Sequence, residues 1–255
     1  MMVDSANSRS TIIEVSGISK FYERVRALHG VSLSLRAGEC LGLVGDNGAG
    51  KTTLLRIMNG ELVPDIGEIR VHGDRVKEWS VRDARRVGIA TVAQNLDLCD
   101  ELDVPGNVFL NAEIPRWRFG PIGWMDSRRI RNEAKDLLAS IGASVPHSAT
   151  KVERLSGGQR QAIAIARSLR GDPRLVLMDE PTAALGIRQA NTILTSIRRM
   201  VERGIGVVII SHNLDHVLNV SDRLVTMFQG RVTLDERASA IRRDKLLAAM
   251  MGHRE

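Results

Sequence analysis

Eight consecutive residues, Gly45-Asp46-Asn47-Gly48-Ala49-Gly50-Lys51-Thr52, carry the pattern G-x-x-x-x-G-K-[ST], which suits a phosphate. Its glycines let the backbone turn tightly, so that successive N–H groups converge on one anion. A helix beginning at Lys51 would direct its positive dipole end at the same point. The Lys51 ammonium can then reach the β- and γ-phosphates of a nucleotide, and the Thr52 hydroxyl can ligate Mg²⁺. Thr53 continues the cradle. The apolar run Cys40–Val44 before the loop and the helical spacing of Leu54, Leu55, Ile57 and Met58 after it supply the strand–loop–helix setting that the pattern needs.

Two more strings carry chemistry. Leu175-Val176-Leu177-Met178-Asp179-Glu180 is an apolar run ending in two carboxylates. A buried strand delivers its C-terminal end to the ligand crevice, where Asp179 can hold Mg²⁺, directly or through water, and Glu180 can act as general base on the attacking water. Strands ending in solvated acids are common, so the pair gains its meaning from the phosphate loop beside it. In Leu155-Ser156-Gly157-Gly158-Gln159, a serine stands where it can cap a glycine-rich helix start, making a second anion site.

The elements that must position these groups follow from periodicity. Thr11–Val15 and Val31–Leu35 alternate like half-buried antiparallel strands. Further strands are expected over Val87–Ala93, Leu175–Met178 and Gly206–Ser211, with helices over 157–170, 188–203 and 213–220 between and after them. This alternation calls for a parallel sheet covered on both faces. Leu224–Phe228 and Arg231–Leu234 read as a hairpin and Ala238–Met251 as a closing helix. Residues 95 to about 154 change character: Arg128–Ile141 is helical in period, and Pro105, Pro115, Gly120, Pro121 and Gly123 punctuate the rest. A smaller, mostly helical insertion is expected there.

The 255 residues are 43% apolar but only 3% aromatic, so the core must be aliphatic. No apolar stretch approaches the roughly 18–20 residues of a membrane span, and the first eleven residues lack a signal-peptide apolar core. Cys40 and Cys99 have neither disulfide-framework nor metal-ligand spacing. A cytoplasmic protein is expected. The net charge of +6 comes from basic residues scattered along the chain, with short doublets such as Arg85-Arg86. Nucleic-acid binders cluster theirs, so no nucleic-acid partner is expected.

Taken together, the loop at 45–52, the Leu155–Gln159 string about a hundred residues later and the Asp179-Glu180 strand soon after resemble the nucleotide-binding subunits of ABC transporters. The resemblance runs from about Ile12 to Gly252. It implies an α/β P-loop NTPase with a RecA-like parallel-sheet core, an N-terminal antiparallel β subdomain and an inserted α-helical subdomain bearing the signature. On that pattern residues 1–11 form a flexible tail and 12–255 one domain, with 12–94 and 168–255 the core and 95–167 the helical part. By the same resemblance Tyr22 stacks on adenine, Gln94 contacts Mg²⁺ and the catalytic water, and His212 contacts the γ-phosphate. Ser156, Gly157, Gly158 and Gln159 close over ATP bound to a second subunit. One chain carries one loop and one signature, so two complete sites need a head-to-tail dimer, a homodimer by this reading, docked on transmembrane permease subunits at the cytoplasmic face of the inner membrane and indirectly served by a solute-binding protein. The string Ala183-Ala184-Leu185-Gly186 departs from the family, which usually ends it in Asp; that Asp speaks across the dimer.

Three local strings, 92–98, 180–186 and 211–217, are similar to the simple-sugar importers of the ribose, xylose and fructose type, and in particular to their single-domain members. Import of another small solute such as an amino acid is the nearest alternative. A soluble ABC ATPase without a membrane partner would need a coiled-coil insertion or a second ATPase domain, and a P-loop GTPase would need an N/T-K-x-D string; the sequence has none of these.

Overall fold

The computed structural model describes residues 10–119, 122–145 and 150–253; the first nine residues of the expected tail lie outside it. Thr11 already opens β1 (Thr11–Tyr22), which pairs with β2 (Val25–Arg36) in a long antiparallel hairpin. Both strands far outrun their alternating segments. Register shifts between Val15 and Ile18 and again before Lys20 reset which side chains face inward, so strict alternation ends while the strand continues.

After β3 (Cys40–Val44) and α1 (Lys51–Met58), β4 (Ile66–Val71) and β5 (Asp74–Val76) extend the hairpin into a sheet ordered β2-β1-β4-β5. This second pair was not foreseen. Its turn is His72-Gly73, both at positive φ (51° and 92°), the backbone that two-residue hairpins require. The Ser80 hydroxyl accepts from the Asp83 N–H and caps α2 (Val81–Arg86), which leads to β6 (Ile89–Val92). That strand starts two residues later than expected, because Val87 ends the helix.

The insertion holds α3 (Val104–Val108) and α4 (Ser127–Ser140), each capped by an aspartate, Asp103 and Asp126. Between them lies a two-stranded ribbon, β7 (Pro115–Phe119) and β8 (Ile122–Met125), which the helical periodicity of the insertion does not announce. Trp117 and Trp124 are cross-strand partners, 48% and 69% exposed. A ribbon without a third strand depends on such side-chain pairs, and the Asp126 N–H closes its base on the Ile114 carbonyl at 2.8 Å.

The rest of the chain is α5 (Gly157–Ser168), β9 (Leu175–Asp179), α6 (Ile187–Glu202), β10 (Gly206–Ile210), α7 (Leu214–Val220), β11 (Arg223–Phe228), β12 (Arg231–Arg237) and α8 (Arg243–Met250). The expected closing helix over Ala238–Met251 divides into a 3-10 turn, Ala238–Ala240, and α8. The central sheet is ordered β12-β11-β3-β10-β9-β6 and is parallel except for β12. Its middle strands are buried along their whole length. Val176 and Met178 enter one core with α5 and α6, while Leu175 and Leu177 enter the other with α1 and the antiparallel sheet. The two-residue side-chain period assigns the faces, so Asp179, next in the odd series, points toward α1.

Candidate active site

Three register pairs place the reactive strings along one edge of the sheet. Val92 lies beside Met178, Asp179 beside Ile210, and Ile210 beside Leu43. Gln94, Glu180, His212 and Gly45 therefore leave the sheet side by side at its carboxyl edge, where open α/β sheets bind ligands. The loop from Gly45 to Gly50 is one that only glycine can make at its ends. Gly45 and Gly50 sit at φ 149° and 98°, and a Cβ on them would lie 2.2 Å from the Met227 carbonyl and 2.7 Å from the Ala27 carbonyl. Within it Asp46 and Ala49 are bridged through the backbone (3.1 Å), Gly48 turns at φ 81°, and Asn47 is exposed at the crest.

Lys51 opens α1 and is buried, its Nζ donating to the Gly45 and Asp46 carbonyls at 2.7 and 2.9 Å. Burial lowers its pKa, and the Glu180, Asp179 and Asp46 carboxylates pull it partly back. Thr53 follows, half-buried. The Thr52 hydroxyl donates to Asp179 Oδ2 at 2.9 Å, a contact between residues 127 positions apart.

Burial raises the Asp179 pKa, the Thr52 bond opposes it, the Glu180 charge adds to it and Lys51 opposes it. A carboxyl whose pKa rises on folding holds its proton better in the folded chain. Its contribution to stability is therefore present at low pH and lost as pH rises through the raised value. At neutral pH the ionised Asp179 costs stability that a neutral amide would not. Asp179→Asn keeps an acceptor for Thr52 and is expected to raise the thermal midpoint of the nucleotide-free protein at pH 7 by about 2 °C or more. Differential scanning calorimetry should show that gain shrinking toward pH 4.

Glu180 follows β9 at φ 50°, the left-handed region that non-glycine residues rarely enter. Its N–H bonds to the Ile210 carbonyl at 2.9 Å, and its carboxylate, 18% exposed, lies 3.3 Å from His212 Nδ1. His212 is mostly exposed. Gln94 is exposed two residues beyond β6, and Tyr22 is exposed at the closed end of the β1–β2 hairpin. Neither is hydrogen-bonded by its side chain to the groups above. His216 lies with its two ring nitrogens 3.1 Å from Thr182 Oγ1 and 3.3 Å from Asn213 Nδ2, contacts not legible in the sequence; the one local signal was Asn213, a capping residue three positions before His216.

Ser156 caps α5 with its hydroxyl accepting from the Gln159 N–H (3.4 Å), and Gln159 Oε1 accepts from the Ser156 N–H (3.0 Å), a reciprocal capping box. Gly157 and Gly158 pack closely on Leu185 and Gln189. Among the described residues no hydrogen bond or ion pair joins 156–159 to 45–52. Gly186 is the N-cap of α6 at φ −67°, and a Cβ there meets nothing within 4 Å. Neither backbone nor space demands glycine, and nothing in the structure explains the departure.

A phosphate loop at the carboxyl edge of a parallel sheet, with an Asp-Glu strand end beside it and a second capped glycine helix start, defines a P-loop nucleotide-binding protein. The ABC transporter family model matches residues 28–183, and the chain belongs to that family. It is 39% identical over 88% of its length to the xylose/arabinose import ATP-binding protein XylG of Sulfolobus acidocaldarius, covering 87% of that protein. It is 41% identical over 94% of its length to the ribose import ATP-binding protein RbsA 2 of Rubrobacter xylanophilus. The chain spans 46% of that relative's length. Among solved structures, the dimeric post-hydrolysis state of the ATP-binding cassette MJ0796 bound to ADP and Pi superposes with a TM-score of 0.75 at 25% identity. The match covers 90% of this chain and all of that one.

Proposed function

We propose that this chain is the ATP-hydrolysing subunit of an ABC importer for a simple sugar, acting as a head-to-tail dimer on the cytoplasmic face of the inner membrane. The observation that carries the reading is the single edge shared by Lys51, Asp179, Glu180 and His212. On this reading the loop 45–52 and Lys51 hold the phosphates and Tyr22 stacks on the base. Glu180 takes the proton of the attacking water, with His212 and Gln94 ordering the γ-phosphate and that water. The signature of a second copy covers the nucleotide.

Thr52, Asp179 and Gln94 offer a hydroxyl, a carboxylate and an amide oxygen, a donor set suited to a hard cation that keeps several waters and takes phosphate oxygens. Bound there, Mg²⁺ would neutralise phosphate charge. The Thr52–Asp179 distance of 2.9 Å fits two oxygens that share one cation. The helical part, 95–167, is the lever that passes opening and closing to permease subunits. The names of the relatives, ribose and xylose/arabinose import proteins, support a sugar as cargo, delivered by a solute-binding protein. No described helix is long and apolar enough to cross a membrane, consistent with a peripheral subunit.

Deleting the gene and measuring radiolabelled uptake tests the cargo. Loss of ribose, xylose or fructose uptake is expected, and normal uptake of all three overturns the sugar reading while leaving the ATPase reading intact.

A further inference from the structure

The left-handed backbone at Glu180 needs its surroundings to hold it, and the neighbouring turn is tied down by a contact that spans the active edge. Two residues on, Thr182 is buried at 6% exposure, and its Oγ1 lies 3.1 Å from His216 Nδ1. The other ring nitrogen, Nε2, lies 3.3 Å from Asn213 Nδ2. Asn213 immediately follows His212, which faces Glu180. The contacts thus close a ring: Glu180, Thr182, His216, Asn213, His212 and back to Glu180.

The ring also assigns a proton. Asn213 Oδ1 accepts from the Asp215 and His216 N–H groups at 3.1 and 3.2 Å as the cap of α7, so its amide cannot turn over without losing both bonds. Its Nδ2 is therefore the donor toward His216, and Nε2 must accept. The neutral imidazole then carries its proton on Nδ1 and donates it to Thr182.

We propose that His216 is a positioning residue for ATP hydrolysis, fastening the turn after Glu180 to the turn after His212 and so fixing the distance between the base and the γ-phosphate contact. This rests on the roles assigned to Glu180 and His212 above. His216 touches neither reacting atom; it acts through Thr182 and Asn213. A group misplaced by about 1 Å can lower a rate by up to 10²-fold, and besides the direct contact of Glu180 with His212 the Thr182–His216 bond is the side-chain tie between the two turns among the bonds of these five residues.

Three variants of the full chain test the assignment in steady-state ATP hydrolysis with Mg²⁺. His216→Leu removes both bonds, Thr182→Val removes the hydroxyl at nearly constant volume, and His216→Gln restores an acceptor for Asn213 and a donor for Thr182. H216L and T182V are each expected to lower kcat about tenfold with KM for ATP within about twofold, since ATP contacts are intact. The double variant should be no slower than the worse single one, because both remove one interaction. H216Q should recover to within about threefold of wild type. Ring ¹⁵N spectra of the wild-type protein should show His216 neutral and protonated on Nδ1.

A kcat unchanged in H216L, or in T182V should H216L fail to fold, overturns the proposal. So does a ring proton on Nε2. A wild-type chain that turns over no ATP instead sinks the hydrolytic reading, and the spectrum then still judges the ring of contacts by itself.

Discussion

Replacing Glu180 with Gln is expected to lower ATP turnover by about 10³-fold, within the range that general bases contribute, while leaving ATP binding within about threefold of wild type. The substitution is close to isosteric, and its backbone consequence is nil. Gln at φ 50° meets the same steric cost as Glu, and the 180 N–H to Ile210 carbonyl bond is a main-chain bond that survives. The amide can still face His212. What it cannot do is accept a proton from water. With binding intact and hydrolysis blocked, Mg-ATP should hold two copies together, and light scattering after size exclusion should show a dimer where the wild-type protein shows chiefly monomer. The contrast variant is His212→Ala, which removes an exposed side chain and leaves the base in place; it should slow turnover less than E180Q does. Normal hydrolysis by E180Q would remove Glu180 from the role of base. A nucleotide-bound variant that stayed monomeric would remove the composite site.

How much of this was legible in the sequence depends on how far apart the contributing residues stand. The phosphate loop, the apolar strand before Asp179 and the cap at Ser156 are each written in consecutive residues, and the structure has the loop, strand and capped helix where spacing put them. The doubly covered parallel sheet was legible because its strands are apolar on both faces. The β1–β2 hairpin was only partly so, since bulges at Val15–Lys20 destroy the alternation that identifies a half-buried strand. The ribbon at 115–125 was hidden by its own Pro and Gly punctuation, which signals a turn but not what flanks it. The ring through Thr182 and His216 links residues 34 positions apart, and its donor and acceptor roles depend on the cap geometry of α7. No local pattern encodes that.

Replacing Lys51 with Ala should weaken ATP binding by about 100-fold or more, because hydrogen bonds to charged groups are worth roughly 1.5–3 kcal/mol each and the ammonium is placed to reach two phosphates. Lys51 is 8% exposed, and its Nζ is held by the Gly45 and Asp46 carbonyls at the mouth of the loop. The stem is fixed before any nucleotide arrives, so little side-chain entropy is left to lose on binding. Burial lowers its pKa. A base whose pKa falls on folding costs stability while it is charged, and that cost fades as pH rises through the lowered value. The charge is therefore held against the preference of the fold and is a poor candidate for a purely structural group.

The thermal midpoint reads the consequence directly. With ATP at a hundred times the wild-type Kd, binding adds about 2.7 kcal/mol to wild type; a variant bound 100-fold more weakly gains about 0.4 kcal/mol. At about 2–4 °C per kcal/mol for a chain of this size, ATP should raise the wild-type midpoint by roughly 5–10 °C and the K51A midpoint by under about 2 °C. Equal shifts in the two proteins would place the triphosphate somewhere other than the loop at 45–52. A small shift in K51A accompanied by a nucleotide-free midpoint far below wild type would show Lys51 to be a structural brace for the Gly45 and Asp46 carbonyls, and Lys51→Met, which keeps the stem and removes only the charge, separates the two effects.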